Sequence, residues 1–340
     1  MKPANGEEGI SMPRKITADF SENTLYSGLT AGLKNHLAAS LDTISHYPSP
    51  EAAPLQQGLE KELGLPPGSV MVTNGSTQAV YLIAQLFAGA TTTIIAPTFS
   101  AYEAACKVFK HQIRFLWWDK LEDGIRIDTA LVFICNPNNP GGQVIQESAL
   151  QRLINANRKT IFVVDEAYID FTRETNTLVP HIHRLPNLLI LRSPAKVACC
   201  PGIRLGYVTG QKALIDKLRA FRAPWTTNQL AITAGLYILD HPKEFAFKLD
   251  DLLANTFQLR EKIKAMPEFK VYSSYTHYFL FETLTGTATE LRSWLLEKYG
   301  ILIRDASDFE GLSSGFCRIA CRSEEDNKLL ITALKKWSHL

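Results

Sequence analysis

The sequence predicts an α/β protein in which a mostly parallel central sheet is covered by helices and followed by a smaller α+β unit. Between about residues 70 and 210, short runs rich in β-branched residues alternate with helix-like stretches, as in sheets whose strands are joined by helical crossovers. These runs are apolar throughout, which is typical of strands covered on both faces. After Pro224 the pattern changes, and helices and strands follow in a less regular order.

The individual elements follow from apolar runs and apolar periodicity. In chain order we predict a strand at 70–73, a helix at 78–88, strands at 93–95, 131–135, 161–164, 188–191 and 205–209, a helix at about 243–265, a strand at 278–281, a helix at 287–298, strands at 301–304 and 317–321, and a final helix. We expect these elements to form an N-terminal arm (1–30), a large domain (31–225) and a small C-terminal domain (226–340).

Composition and charge exclude several classes of protein. The 340 residues are 46% hydrophobic and 21% charged, with a net charge of +2 and interspersed signs, so neither nucleic acid nor a membrane surface is an expected partner. No apolar run approaches the roughly 20 residues that span a bilayer, and residues 1–19 lack the apolar stretch of a signal peptide. The six cysteines suit neither a disulfide framework nor a zinc site, since Cys317 and Cys321 have no second ligand pair. We expect a reduced, cytoplasmic protein without a bound metal.

The first polar motif joins a predicted strand to a helix at 73–78 and contains Gly75, Ser76 and Thr77. Backbone N–H groups at a helix N-terminus, together with the helix dipole, attract phosphate. Serine and threonine are also ordinary helix caps. Taken alone, the motif favours a cap, and a phosphate site is the alternative.

The second motif is the Asn-Pro-Asn-Asn-Pro-Gly-Gly string at 136–142, directly after the strand that ends at Cys135. Its prolines, asparagines and glycines are typical of a turn. A rigid turn can also hold an asparagine amide against a ligand, so the two interpretations are compatible.

The third motif is an acid, Asp165, at the end of an apolar strand, with Tyr168 three residues later. A carboxylate buried at such a position costs free energy unless it has a cationic partner. The simpler partner is a nearby lysine or arginine. The alternative is the protonated ring nitrogen of a cofactor.

The fourth motif places Lys196 after the strand at 188–191 and Arg204 eight residues further on. Desolvation can remove the charge of such a lysine and make it a nucleophilic amine. The planar fork of an arginine suits a phosphate dianion. Each residue alone could equally lie on the surface.

In this order and spacing, the four motifs resemble the fold-type-I pyridoxal-phosphate family, which has the aspartate-aminotransferase fold. The resemblance extends from about Asp19 to the C-terminus. It implies that pyridoxal 5'-phosphate is the cofactor and that Lys196 holds it as a Schiff base. The other implied cofactor contacts are the ring nitrogen (Asp165), the ring face (Phe99), the ring hydroxyl oxygen (Asn139 and Tyr168) and the phosphate (Gly75, Ser76, Thr77, Arg204, and Tyr47 from the second subunit of a homodimer with shared active sites).

Within the family, the Asp-Glu-Ala-Tyr and Pro-Gly-Ile-Arg-Leu-Gly-Tyr strings resemble the branch of histidinol-phosphate aminotransferases, which includes the L-threonine-O-3-phosphate decarboxylases of cobalamin biosynthesis. The stretches 19–23, 224–228, 301–304 and 318–323 favour the decarboxylases. The resemblance implies a substrate phosphate at Arg304 and a substrate carboxylate at Arg318. Asn23 and Asn139 are further expected substrate contacts, and Arg322 is either a ligand or a solvated strand-end residue.

The sequence departs from the family pattern at several positions. Ala195 replaces the usual serine or threonine before the lysine, so Ser193 would have to supply that phosphate contact. Gly141 and His277 replace a usual threonine and asparagine, and Asn5 is the nearest match to a histidine that binds substrate phosphate. We expect a decarboxylase of a phosphorylated amino acid, with L-threonine O-3-phosphate favoured and transamination as the alternative. A regulatory role is disfavoured because no DNA-binding extension is present.

Overall fold

The computed structural model describes residues 16–121 and 124–337. Its strands are β1 (Ala18–Asp19), β2 (Val70–Asn74), β3 (Thr91–Ala96), β4 (Gln112–Trp117), β5 (Leu131–Cys135), β6 (Ile161–Asp165), β7 (Leu188–Arg192), β8 (Leu205–Gly210), β9 (Phe269–Val271), β10 (Tyr278–Thr283), β11 (Ile301–Leu302), β12 (Arg304–Asp305) and β13 (Phe316–Ala320). Its helices are α1 (Ala31–Ala39), α2 (Ala53–Glu62), α3 (Gly75–Leu86), α4 (Ala101–Val108), α5 (Glu147–Ala156), α6 (Lys212–Arg219), α7 (Gln229–Asp240), α8 (Leu249–Lys264), α9 (Ala288–Tyr299) and α10 (Glu324–Trp337).

The central sheet has seven strands in the order β2-β8-β7-β6-β5-β3-β4. The neighbours from β7 to β4 run parallel, whereas β8 is antiparallel to both β7 and β2. The predicted mostly parallel sheet is therefore confirmed. Every residue of β5 is buried, because α3, α4 and α6 cover one face of the sheet and α5 covers the other. The carboxyl ends of β5, β6 and β7 meet at one edge, where open α/β sheets bind ligands.

The C-terminal unit is a four-stranded antiparallel sheet, β12-β13-β10-β9, that packs with α8, α9 and α10 around its own core. A capping box formed by Thr287 and Glu290 begins α9, and Gly300 ends it in the left-handed conformation. The described residues contain no helix that is both long enough and apolar enough to cross a membrane. The division into an N-terminal arm, a large domain and a small domain given above stays a prediction.

Two predicted elements of this unit differ in the structure. The expected strand 301–304 is divided, because Ile301–Leu302 pairs with β1 and Arg304–Asp305 pairs with β13 in another sheet. The expected helix 243–265 begins only at Leu249. Residues Pro242–Phe245 form a 3-10 turn, and the extended backbone of Ala246 separates it from α8. The division of the strand matters for the site, because the pairing of Ile301–Leu302 with β1 holds the N-terminal segment against the C-terminal unit.

Candidate active site

A pocket lies between the carboxyl edge of the central sheet, segment 20–25 of the chain, and strands β12 and β13. The structure brings together on its wall most of the residues predicted for the site: Asn23, Gly75, Ser76, Thr77, Phe99, Asn139, Asp165, Tyr168, Ser193, Lys196, Arg204, Arg304 and Arg318. Sequence reasoning missed other wall residues, among them Ser21, Thr24 and Phe309. Asn5 lies outside the described residues.

On the pocket wall, the backbone of Gly75 at the start of α3 lies against the guanidinium group of Arg204. Gly75 has a φ of +71°, its N–H donates to the Arg204 carbonyl over 2.8 Å, and a Cβ on Gly75 would lie 2.6 Å from Arg204 Nη2. A Cβ on Gly206 would likewise lie 2.3 Å from the Ser76 nitrogen. Asn74 occupies the N-cap without a side-chain cap bond, so the interpretation of Ser76 and Thr77 as caps is wrong. The N-terminus of α3 instead faces the pocket beside an arginine.

Two adjacent asparagines of the 136–142 turn have different roles. The Asn138 side chain donates to the Pro97 carbonyl and accepts from Thr98 Oγ1, so it stabilises the turn. Asn139 lies on the pocket wall, where its Oδ1 accepts from Arg318 Nη1 over 2.6 Å. The segment 136–142 therefore forms a turn and also holds the Asn139 amide in the pocket, so both interpretations of this motif apply.

Asp165 ends β6 with only 4% of its surface exposed. Its carboxylate accepts from the Tyr102 hydroxyl over 2.7 Å and from the Ala167 N–H over 3.0 Å, which are both neutral donors. Burial raises the pKa of Asp165, and these hydrogen bonds oppose the rise. Of the cations that the simpler interpretation allows, Lys196 acts on Asp165 electrostatically and opposes the rise of its pKa, whereas Arg192 pairs with the neighbouring acid, Glu166, over 3.2 Å.

Lys196 ends a short 3-10 turn, Pro194–Lys196, that follows β7. Its Nζ donates to Asn23 Oδ1 over 3.4 Å and lies 5.7 Å from the centroid of the Tyr168 ring. The Lys196 carbonyl accepts from the Leu25 N–H over 3.0 Å. Both the backbone and the side chain of this lysine therefore contact segment 20–25.

Two further arginines of the pocket wall, Arg304 and Arg318, occupy directly opposed positions on β12 and β13. Arg318 is 6% exposed and donates to Asn139 Oδ1 and to the Ser21 carbonyl, while its buried Nε lacks a hydrogen-bond partner among the described residues. Burial lowers the pKa of Arg318 to about 10. Arg304 Nη2 binds both carboxylate oxygens of Asp308, at 2.9 and 2.8 Å.

Two predicted site residues lie off the wall of this pocket. Arg322 is 9% exposed, so its interpretation as a solvated residue is wrong, and its Nη2 donates to the Glu22 carbonyl over 3.0 Å. Tyr47 is 87% exposed, with its ring 5.6 Å from that of Trp225. Its predicted contact with the cofactor of a second subunit stays a prediction.

The geometry fits pyridoxal phosphate. The Gly75 backbone and Arg204 form a cradle that a single added Cβ would fill, which suits a phosphate at the N-terminus of α3. Asp165 presents a buried carboxylate whose hydrogen bonds from described residues come from the neutral donors Tyr102 and Ala167, which suits a cationic ring nitrogen. Lys196 lies on the same pocket wall as these two groups.

Comparisons with known proteins agree with this geometry. The family model for class I and II aminotransferases matches residues 18–334. The crystal structure of L-threonine-O-3-phosphate decarboxylase from Porphyromonas gingivalis is similar, with 34% identity and a TM-score of 0.91 over 95% of this chain and 100% of that chain. A histidinol-phosphate aminotransferase of Thermoanaerobacter sp. (strain X514) is 32% identical over 306 residues, which are 86% of this chain and 84% of the relative.

A third likeness concerns the cofactor. The histidinol-phosphate aminotransferase of Sinorhizobium meliloti, solved in complex with pyridoxal-5'-phosphate, superimposes with a TM-score of 0.82 at 20% identity over 96% of this chain and 92% of that chain. The predicted fold and the dependence on pyridoxal phosphate are confirmed. Decarboxylase and aminotransferase relatives occur at similar identity. The comparisons therefore establish the enzyme family but do not distinguish between the two reactions.

Proposed function

The chain belongs to the class I and II aminotransferase family, and on that premise we propose that it decarboxylates a phosphorylated amino acid, with L-threonine O-3-phosphate as the substrate. The observation that carries the proposal is the pair Arg304 and Arg318, which are directly opposed on neighbouring strands and both lie on the wall that holds Lys196. Two guanidinium groups suit a small substrate that bears two anionic groups.

In this proposal Arg318 binds the substrate carboxylate. It is deeply buried, and the two partners of its Nη atoms are neutral oxygens of Asn139 and Ser21. Because a buried guanidinium with neutral partners remains under-neutralised, an incoming carboxylate gains a charge-assisted hydrogen bond there. Asn139 would orient the carboxylate through the same network.

Arg304 binds the substrate phosphate in this proposal. Its Nη2 is already held by Asp308, and its guanidinium carbon lies 5.2 Å from the centroid of the Phe309 ring. These contacts fix the plane of the guanidinium, so less side-chain entropy is lost when a phosphate binds. The proposed phosphate and carboxylate sites together orient the bonds at the substrate Cα relative to Lys196.

Pyridoxal phosphate, when bound, withdraws electrons from a bond that breaks at the substrate Cα. Of the chain's own residues, Ser76, Thr77, Ser193 and Arg204 would hold its phosphate and Asp165 its ring nitrogen. Tyr168, whose pKa burial raises, would donate a hydrogen bond to the ring oxygen as a neutral phenol. After carbon dioxide has left the substrate Cα, Lys196, placed by Asn23, would donate a proton to Cα.

One pair of assays tests the reaction. The purified enzyme is given phosphothreonine alone, and carbon dioxide and aminopropanol phosphate are measured. It is then given histidinol phosphate with 2-oxoglutarate, and glutamate is measured. We expect carbon dioxide from the first substrate. Glutamate from the second pair, without carbon dioxide from the first, would make the protein an aminotransferase instead.

We also propose a homodimer whose active sites are shared. It is supported by the exposed aromatic pair Tyr47 and Trp225, since large exposed apolar surfaces mark interfaces. Mixing a Lys196→Ala variant with an impaired Tyr47→Phe variant should restore activity, because one site of each heterodimer then carries neither change. At random reassortment about a quarter of all sites are intact. A fully active monomer in sedimentation would contradict the shared site.

A further inference from the structure

Three consecutive backbone carbonyls in the wall of the pocket are held by three side chains of the C-terminal unit. The Ser21 carbonyl accepts from Arg318 Nη2, and the Glu22 carbonyl accepts from Arg322 Nη2 over 3.0 Å. The Asn23 carbonyl lies 3.2 Å from His277 Nε2. Because a carbonyl oxygen can only accept, this last contact requires the imidazole to carry its proton on Nε2.

Two of these three donors lie behind the wall. Ser21, Glu22 and Asn23 line the pocket, whereas His277 and Arg322 are not part of the lining that the described residues form. The His277 side chain is fully buried, with its ring centroid 4.1 Å from that of Phe171 and its carbonyl bonded to the Cys321 N–H. Burial lowers its pKa to about 3, so the imidazole stays neutral.

The held carbonyls belong to the segment that contacts the reactive lysine. Asn23 Oδ1 accepts from Lys196 Nζ, and two residues later the Leu25 N–H donates to the Lys196 carbonyl. At the other end, Phe20 is bonded on both sides, by its N–H to the Leu302 carbonyl and by its carbonyl to the Ala320 N–H. Between these anchors, Arg322 and His277 fix the carbonyls of residues 22 and 23, and with them the direction of the Asn23 side chain.

We infer that His277 and Arg322 are positioning residues, which act on the reaction by holding the backbone of residues 22–23 so that the Asn23 amide oxygen stays against the Lys196 nitrogen. This inference rests on the proposed role of Lys196 and adds two residues to it that touch neither substrate nor cofactor. An amide oxygen held at a lysine nitrogen favours the protonated form of that nitrogen. Loss of either donor should therefore shift the ionisation of the Lys196 nitrogen to lower pH.

The first experiment follows the visible absorption of the bound cofactor as a function of pH. His277→Phe keeps the ring volume against Phe171 but removes the donor. We expect the midpoint of the titration to fall by roughly half a unit. His277→Gln retains an N–H at similar reach, so it should return the midpoint to near the wild-type value. Arg322→Met and Arg322→Lys form a second pair with the same expected contrast.

A matched control separates positioning from stability. His111 is also a buried histidine whose Nε2 contacts a backbone carbonyl, that of Ala84 in α3 at 2.8 Å, but it directly precedes β4 and is not part of the described pocket wall. His111→Phe should lower the thermal midpoint and leave the absorption titration unchanged. If His277→Phe behaves in the same way, His277 is merely structural and the inference is wrong.

A double-mutant cycle tests the route through Asn23. Asn23→Ala should itself lower the titration midpoint, and adding His277→Phe to it should produce little further shift, because both changes remove one interaction. Additive shifts would contradict the inference. A Lys196→Ala protein that kept the visible band would instead overturn the proposed function, and neither result depends on which substrate the enzyme uses.

Discussion

The two sides of the pocket are built in different ways. The proposed cofactor side consists of residues that follow the strands of one sheet, between Gly75 and Arg204, and its central carboxylate accepts hydrogen bonds from neutral donors. The proposed substrate side consists of segment 20–25 with Arg304 and Arg318, which are far apart in the sequence, and its cations bind an amide oxygen, a carbonyl or Asp308. One side is a local product of parallel strand order, and the other depends on long-range contacts. The sides should therefore respond differently to substitution.

The largest expected effect is on the cofactor side. Lys196→Ala removes the amine that contacts both the cofactor and the reacting carbon in the proposed function. Turnover should fall by roughly 10²–10⁴-fold and the visible band of the purified protein should disappear. Lys212→Ala, which removes only an exposed ion pair with Asp216, is the matched control and should change neither. Borohydride reduction should fix the cofactor on the peptide that contains Lys196, and an adduct elsewhere would refute the assignment.

On the substrate side, Arg304→Ala should weaken the use of phosphothreonine while the cofactor stays bound. Losing one charge-assisted contact with a phosphate costs on the order of 1.5–3 kcal/mol, so kcat/KM should fall by roughly ten- to a hundredfold. The visible spectrum should not change. Arg114→Ala, which removes an arginine from an exposed pair with Asp128, controls for the net charge of the protein. A loss of the visible band in Arg304→Ala would contradict the proposal that Arg304 binds the substrate and not the cofactor.

The smallest expected effect is on the free energy of unfolding, and it compares two adjacent buried acids, Asp165 and Glu166. Because burial raises the pKa of Asp165, ionisation of this residue costs stability at neutral pH, and the cost disappears in acid below the unfolded pKa of about 4. Asp165→Asn should therefore stabilise the cofactor-free protein, by about 1 kcal/mol in urea unfolding at pH 7. The gain should shrink as the pH falls.

The adjacent acid should behave in the opposite way. Glu166 is just as buried, and burial raises its pKa as well, but its carboxylate binds a cation, Arg192, besides the Leu178 N–H. Glu166→Gln leaves the arginine charge without its closest counter-ion, so the protein should lose roughly 1–3 kcal/mol. Equal effects of the two substitutions would contradict the proposal that the buried carboxylate of Asp165 is destabilised until a cationic ligand binds.

The cofactor side could be predicted from the sequence because its residues follow strands that local patterns identify. Asp165 and Lys196 each end or follow an apolar run, and parallel order brings such ends together. The substrate side could be predicted only through family resemblance. Whether Arg304 belongs to the strand that pairs with β1 or to the one that pairs with β13 depends on register, which a five-residue stretch does not encode.

Side-chain partners were harder still to predict. Ser76 and Thr77 matched the pattern of helix caps, yet α3 begins at Gly75, three residues before the predicted start, and Asn74 occupies the N-cap. Arg322 looked like either a ligand or a solvated residue. Its actual partner is the Glu22 carbonyl, and their sequence separation of 300 residues leaves no local signal.

The pairing of β1 with β11 also constrains the order in which parts of the protein can fold during synthesis. Arg318 and Ser21 are 297 residues apart in sequence, so the proposed substrate side cannot form until residue 318 has left the ribosome. The strands that build the cofactor side are all synthesised by residue 210 and can pair before then. Contacts of such high sequence separation form slowly. A nascent chain should therefore acquire a cofactor cradle well before it acquires a site that can choose a substrate.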